Sequence, residues 1–212
     1  LKTVLPVLLI FAGCGMEQRP LTIVCIGDSL TACGGNDGQY TYWLSQWLPK
    51  HFIINKGIGG DTLAGGRARF QKDVIEQNPD IVVIELGAND FWKMTRPIEQ
   101  LKEDLEDMVK RAKGIGAGVV IAGCFGGRDF KTEEKVEFGP ERFEFASEIA
   151  DMERDICQKY DCFYVPNMQI DIKPNGLAPF WDDTNHPNKA GNEMVARQIL
   201  PELQKAIARK SR

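Results

Sequence analysis

Five short apolar runs, each bounded by turn residues and separated from the next by a helix-sized segment, constrain this chain more than any other feature. They are LTIVCIG (21–27), HFIIN (51–55), DIVVIEL (80–86), GVVIAGC (118–124) and DCFYVP (161–166). A strand with one face in water alternates apolar and polar residues, whereas these runs are apolar on both faces, as buried parallel strands are. Helices are expected between them near 39–48, 62–77, 97–113, 140–159 and 187–208, with Pro201 kinking or interrupting the last. The clearest is 97–113. There Ile98, Leu101, Leu105, Met108, Val109 and Ala112 fall on one face, and Glu103, Asp104, Glu106, Asp107 and Lys110 on the other. Strict βα alternation predicts a three-layer α/β/α domain with a five-stranded, mainly parallel sheet.

With 212 residues, 43% of them hydrophobic, the chain can bury one sizeable core, so a single domain is expected. Its 26 basic and 30 acidic side chains nearly balance, and no Lys/Arg cluster provides the basic face that nucleic acid requires. The first residues, LKTVLPVLLIFAGCG, differ in kind from the rest. An apolar stretch of about a dozen residues is too short to span a bilayer as a helix and reads as a secretory segment, the alternative being an N-terminal strand. Phe11-Ala12-Gly13-Cys14 is similar to a bacterial lipobox, in which the cysteine is lipidated. On that reading residues 1–14 are a leader, 15–20 a linker and 21–212 the folded domain. The protein is then expected to be exported, as a periplasmic or outer-membrane lipoprotein touching the membrane only through its anchor. Five cysteines remain of the six, an odd number that argues against a full disulfide framework, although Cys157 and Cys162 are close enough to suggest a local bridge. No His/Cys cluster has metal-ligand spacing, and no metal is expected.

In a doubly wound sheet, ligands bind beyond the C-terminal ends of the strands, where strand order reverses. Four unusual segments fall there: Gly27-Asp28-Ser29-Leu30, Asn55 to Asp61, Gly87-Ala88-Asn89-Asp90, and the loop leading to Asp183 and His186. Each alone reads equally well as a cap or turn. Together they supply the parts of an acyl-transfer device. A serine hydroxyl needs a base to take its proton, and histidine serves when a carboxylate fixes its tautomer. The oxyanion formed on attack needs fixed donors such as backbone N–H groups and an amide. Ser29, His186, Asp183, Gly60 and Asn89 fit those roles.

These residues carry a resemblance to a known family. Gly-Asp-Ser-Leu near the N-terminus, the glycine before Asp61, the Gly-x-Asn-Asp segment and Asp-x-x-His near the C-terminus resemble the four sequence blocks of the SGNH, or GDSL, hydrolases, in order and from about residue 21 to 207. INKGIGGDTLAGGRARF and IVVIELGAND are similar to the bacterial group described as multifunctional acyl-CoA thioesterase, lysophospholipase and arylesterase. The resemblance implies a flavodoxin-like fold and cofactor-free hydrolysis of a small-molecule or lipid acyl ester. It implies Ser29 as nucleophile, His186 as base, Asp183 as its orienting carboxylate, and Ser29 N–H, Gly60 N–H and the Asn89 amide as oxyanion donors. Asp28, Asp61 and Asp90 become supports. Thr184-Asn185 departs from the Gly-plus-apolar pair common between Asp and His, and Asp182 adjoins Asp183 as a second carboxylate. Carbohydrate O-deacetylation on the same fold and an inactive surface-binding lipoprotein are the alternatives.

Phe91, Trp92, Phe125, Phe180 and Trp181 neighbour these segments and are candidates to line an acyl pocket, with core packing as the equal alternative. The loop from 124 to 138 is a candidate wall or lid. Gly114-Ile115-Gly116-Ala117-Gly118 looks like a dinucleotide fingerprint but precedes a strand, and so reads as a helix stop. His51 is expected as a partly exposed strand residue.

Overall fold

The computed structural model describes residues 19–125, 134–169, 179–183 and 185–211. The leader with Cys14 and most of the candidate lid, residues 126–133, lie outside these.

Five parallel strands form the sheet: β1 (Thr22–Gly27), β2 (Phe52–Gly57), β3 (Ile81–Glu85), β4 (Gly118–Ala122) and β5 (Phe163–Val165), in the order β2-β1-β3-β4-β5. Each expected strand is present. Ile23, Val24, Cys25 and Ile26 of β1 and Ile81, Val82, Val83 and Ile84 of β3 are buried, as two-sided apolar runs in a covered sheet should be. The edges depart from the expectation. β2 is half-exposed and continues through Lys56 and Gly57, while β5 keeps only three paired residues. His51 precedes β2 in a bend, where its Nδ1 accepts from the Leu21 N–H at 3.1 Å.

The covering helices are α1 (Ser29–Ala32), α2 (Tyr40–Trp47), α3 (Leu63–Asp73), α4 (Ala88–Lys93), α5 (Ile98–Gly114), α6 (Glu134–Lys159) and α7 (Lys189–Lys210). α6 begins inside the segment expected to be loop. It is broken at Gly139, whose φ of 76° is non-helical, so its main arm starts at Pro140 as the sequence suggests. α7 contains Pro201 without ending there and is capped by the Asn188 side chain, which accepts from the Ala190 and Gly191 N–H groups. Asp104 of α5 corrects the helical-face reading. Rather than facing water it is buried, held by Arg67 at 3.0 Å and Arg96 at 2.5 Å. Gly116, with φ 78°, ends α5 as expected of a helix stop.

The buried carboxyl groups include Glu85 at the end of β3 and Glu153 on α6. The Tyr164 hydroxyl of β5 donates to Glu153 Oε2 at 3.1 Å. Burial pushes Glu153 up to about 8, so it folds as the neutral acid. Between its unfolded value near 4.5 and about 8, the unfolded chain has released this proton and the native one has not. The contribution is therefore full below pH 4.5 and lost as pH rises through about 8. Stability measured by urea unfolding should fall by a few kcal/mol across this window. In Glu153→Gln, which keeps the shape without the titration, the fall should be markedly shallower; an unchanged slope would remove Glu153 as its source.

Candidate active site

Three of the four loops singled out by the sequence meet at the C-terminal edge of β2, β1 and β3, on either side of the central strand. The sheet runs outward from β1 in both directions, so the point of reversal lies at the Ser29 turn. This turn is tight. A Cβ at Gly27 would lie 2.0 Å from Thr31 Oγ1 and 2.7 Å from the Glu85 carbonyl, so only glycine lets β1 end against β3. Asp28 caps α1 through Oδ1, which accepts from the Leu30 N–H at 2.8 Å, and Ser29 is the first residue of the helix.

The other oxygen of Asp28 joins the third loop to the first. Oδ2 accepts from the Asn89 amide at 3.0 Å, fixing the amide plane and leaving the second Nδ2 hydrogen uncommitted to Asp28. Asp28 is fully buried, and desolvation pushes it up to about 6 despite bonds from Leu30, Asn89 and Glu85. Glu85 lies beneath, accepting on Oε2 from Thr31 Oγ1 at 2.8 Å and from the Asp28 N–H at 3.3 Å. Burial, reinforced by the Asp28 charge, holds Glu85 well above the carboxylate range, so it is the member of the pair that keeps its proton.

The second loop is held by Arg69 of α3. Its guanidinium reaches Asp61 Oδ2 at 2.7 Å, the Lys56 carbonyl at 2.7 Å, the Gly27 carbonyl at 2.9 Å and Asp73 Oδ2 at 3.0 Å. One planar fork thus ties the start of the Ser29 turn to both ends of the Gly57–Asp61 loop. Gly60 has φ 75°, in the left-handed region, and a Cβ there would meet no atom within 4 Å. Backbone conformation, then, and not crowding, is what calls for glycine. Asp90 accepts the Leu63 N–H at 2.9 Å and links the third loop to the second.

The fourth loop brings Asp183 and His186. Asp183 Oδ2 meets His186 Nδ1 at 2.8 Å, and Oδ1 accepts the Asn185 and His186 N–H groups at 2.7 and 2.8 Å. The carboxylate on the histidine is Asp183 and not its neighbour Asp182, whose backbone N–H instead donates to the His186 carbonyl at 2.9 Å. The His186 bond, then the two backbone N–H donors, lower Asp183 to about 2. Pro187 follows, and its carbonyl receives Asn192 Nδ2 at 2.8 Å and the Cys33 thiol at 3.7 Å. Cys33 caps the C-terminus of α1, so the residue after His186 touches the end of the helix that Ser29 begins.

Of the candidate pocket aromatics, Phe91 and Phe125 pack on each other at 4.8 Å and are buried with the core. Trp92, 41% exposed, projects from the Asn89 loop, and Ile58, 49% exposed, from the Gly60 loop. Phe180 and Trp181 are half-buried, with Trp181 bridged to Pro187 across the base of the histidine loop. Arg69, Glu85, Asn188 and Asn192 are further residues that hold the site. Glu85 carried a signal in the sequence, a lone acid in an apolar run, and Asn188 another, an N-cap residue two and three positions before the N–H groups it receives; the Lys56 and Gly27 carbonyls that Arg69 bonds lie 13 and 42 residues away and could not be seen there.

The model of the GDSL-like lipase/acylhydrolase family matches residues 25–194. The esterase TesA of Pseudomonas aeruginosa is 35% identical over 128 residues, 54% of this chain and 63% of that protein. An acetylxylan esterase of Geobacillus stearothermophilus is 27% identical, with 85% of this chain and 93% of that one aligned. An arylesterase of Vibrio mimicus is 28% identical, with 96% and 98% aligned. The crystal structure of TesA superposes with a TM-score of 0.74 at 26% identity, covering 87% of this chain and 99% of that one. With most of its length, and all four loops of the site, inside the matched region, this chain belongs to the GDSL-like lipase/acylhydrolase family.

Proposed function

We propose that this protein is a serine ester hydrolase cleaving acyl esters or thioesters through an acyl-Ser29 intermediate. The observation that carries the reading is the loop holding His186 Nδ1 on Asp183 while its base touches the end of the Ser29 helix. With Nδ1–H committed to the carboxylate, Nε2 is the basic nitrogen, able to take the Ser29 Oγ proton as that oxygen attacks the acyl carbon. The developing oxyanion would be met by the Ser29 and Gly60 N–H groups and the second N–H of Asn89. His186 then returns the proton to the leaving alcohol or thiol. A water activated at the same Nε2 releases the acid.

Trp92 and Ile58, exposed on the loops that carry Asn89 and Gly60, support an apolar acyl or aryl group larger than acetyl. The likeness to acetylxylan esterase keeps carbohydrate O-deacetylation as the second reading. For the leader, we propose lipidation at Cys14, export, and a hydrolase domain over 21–212. Similarity to a Bacillus subtilis protein called an uncharacterized lipoprotein, 29% identical over 131 residues, supports this.

Initial rates on p-nitrophenyl esters from acetyl to long-chain acyl test the reading. Ser29→Ala and His186→Ala should each lower kcat/KM by about 10³-fold or more with unfolding unchanged. A maximum at acetyl with rapid release from acetylated xylan would favour the deacetylase, and equal inertness of all three proteins would point to a binding role. A second expectation concerns the brace. Arg69→Ala should cost about 3 kcal/mol of stability and lower kcat more than it raises KM, because it leaves Asp61 and two loop carbonyls without their shared donor. Arg69→Lys should not rescue the rate, since one ammonium cannot span four acceptors; full activity in either variant would show that the loops hold without it.

A further inference from the structure

Among the described residues Cys25 is sealed in β1, Cys124 is buried just past β4 against Glu85, and Cys33 belongs to the contacts of the candidate site. Cys157 and Cys162 stand apart from that chemistry. Cys157 lies near the C-terminus of α6, and Cys162 is the last residue before β5. Between them the chain reverses through Asp161, whose φ of 49° is left-handed. The Cys162 N–H donates to the Cys157 carbonyl at 2.9 Å. A direct backbone bond between two residues holds their Cα atoms within the roughly 4.4–6.8 Å that a disulfide spans. The Cys162 thiol donates to the Tyr160 carbonyl within the same reversal at 3.8 Å, so its side chain stays on the turn that joins the two cysteines.

The surroundings divide the pair into an attacking and a resolving thiol. Cys157 is buried, while Cys162 is half-buried beside an exposed turn. Lys113 Nζ and Arg209 Nη1 converge on the Asp161 carbonyl at 2.9 and 3.2 Å. The neighbouring Cys157 side chain, and then these two cations, lower the Cys162 thiol below its ordinary range, whereas the Cys162 side chain and burial raise Cys157.

We propose that Cys157 and Cys162 form an intramolecular disulfide, made by exchange with an external disulfide, that staples the end of α6 to the start of β5. The Cys162 thiolate attacks one sulfur of the external disulfide, forming a mixed disulfide and expelling one thiolate. Cys157 gives up its proton and attacks the Cys162 sulfur, expelling the second. Two electrons pass from the cysteines to the external disulfide, which leaves as two thiols carrying the two protons. The staple closes a loop of only six residues, 157–162. Its effect falls on a strut that serves the site from a distance. α6 also carries Glu153, bonded to Tyr164 of β5, and Arg142, which donates to the Phe91 and Trp92 carbonyls at 3.2 and 2.9 Å.

The test uses the full chain, reduced and then exposed to oxidised glutathione, with intact mass, thiol titration after denaturation, and non-reducing peptide mapping. We expect loss of two thiols, a mass about 2 Da below the reduced protein, and a peptide linking 157 to 162. We also expect Tm to rise by about 4–8 °C over the reduced form. Cys157→Ser should stop at a glutathione adduct on Cys162, and Cys162→Ser should form neither adduct nor bridge. The Cys157→Ser/Cys162→Ser protein should match the reduced parent in ester hydrolysis, so an inactive parent speaks against the esterase reading and leaves the bridge result standing. A glutathione adduct that persists on Cys162 of the parent, a bridge to any other cysteine, or the same number of titratable thiols after oxidation as before it overturns the proposal.

Discussion

The carboxylate of Asp28 is the point on which the site's geometry rests. One oxygen fixes the first turn of α1, the other fixes the Asn89 amide, and the N–H of the same residue rests on Glu85. The loops that follow two strands, β1 and β3, are referred to a single buried side chain. Such a group is sensitive to charge, because two carboxylates in one dry place cannot both be ionised without a large penalty. The conflict is resolved by burial. Glu85, with no exposure and the Asp28 charge beside it, keeps its proton, so the pair carries one negative charge surrounded by donors.

Glycine geometry makes this arrangement possible. Gly27 lets β1 run into the turn against Thr31 and Glu85, and the left-handed Gly60 turns the second loop beside it. Arg69 completes the frame from outside, bonding the Lys56 and Gly27 carbonyls at the C-terminal edge of the ladder. The sheet sets where the loops begin, and Asp28 and Arg69 set where they end.

Much of this was legible in the sequence because its signals are local. Both-face apolar runs mark buried strands, and all five are found. Gly-Asp-Ser and the Asn-Asp segment stand at the ends of β1 and β3 and are joined by Asp28 and Asn89, while the residue after the Asp-x-x-His turn receives the Cys33 thiol at the end of α1. What was not legible depends on contacts between distant segments. α1 and α4, at four and six residues, are too short to show a 3.6-residue period. Asp104 reads as a solvent-facing acid until Arg67 and Arg96 arrive from elsewhere in the chain. Phe91 and Phe125 lie beside the site in sequence, yet they spend their apolar surface on each other, because Trp92 already takes the exposed position on that loop. β5 shrinks to three residues since Cys162 is drawn back onto α6 by the Cys157 carbonyl.

The two halves of the site solve opposite physical problems. Asp28 and Glu85 must hold a shape, and burial serves them because a dry, hydrogen-bonded group has few alternatives. In the proposed mechanism His186 passes protons while Asp183 keeps its charge, and both stay near water, with the Asp183 and His186 side chains 56% and 34% exposed. Exposure weakens an ion pair to little net value, so attraction alone would not keep the imidazole in place. The chain orients it covalently and through the backbone instead. The i to i+3 spacing closes a turn on Asp183 Oδ1 through two N–H groups, leaving Oδ2 aimed at Nδ1, and Asn192 pins the following carbonyl to α7. Because the His186 bond, and then those donors, hold Asp183 at about 2, its charge persists at neutral pH. A proton-passing pair can therefore sit on an exposed loop without losing its geometry, provided the loop's own amides, and not burial, define where the carboxylate points.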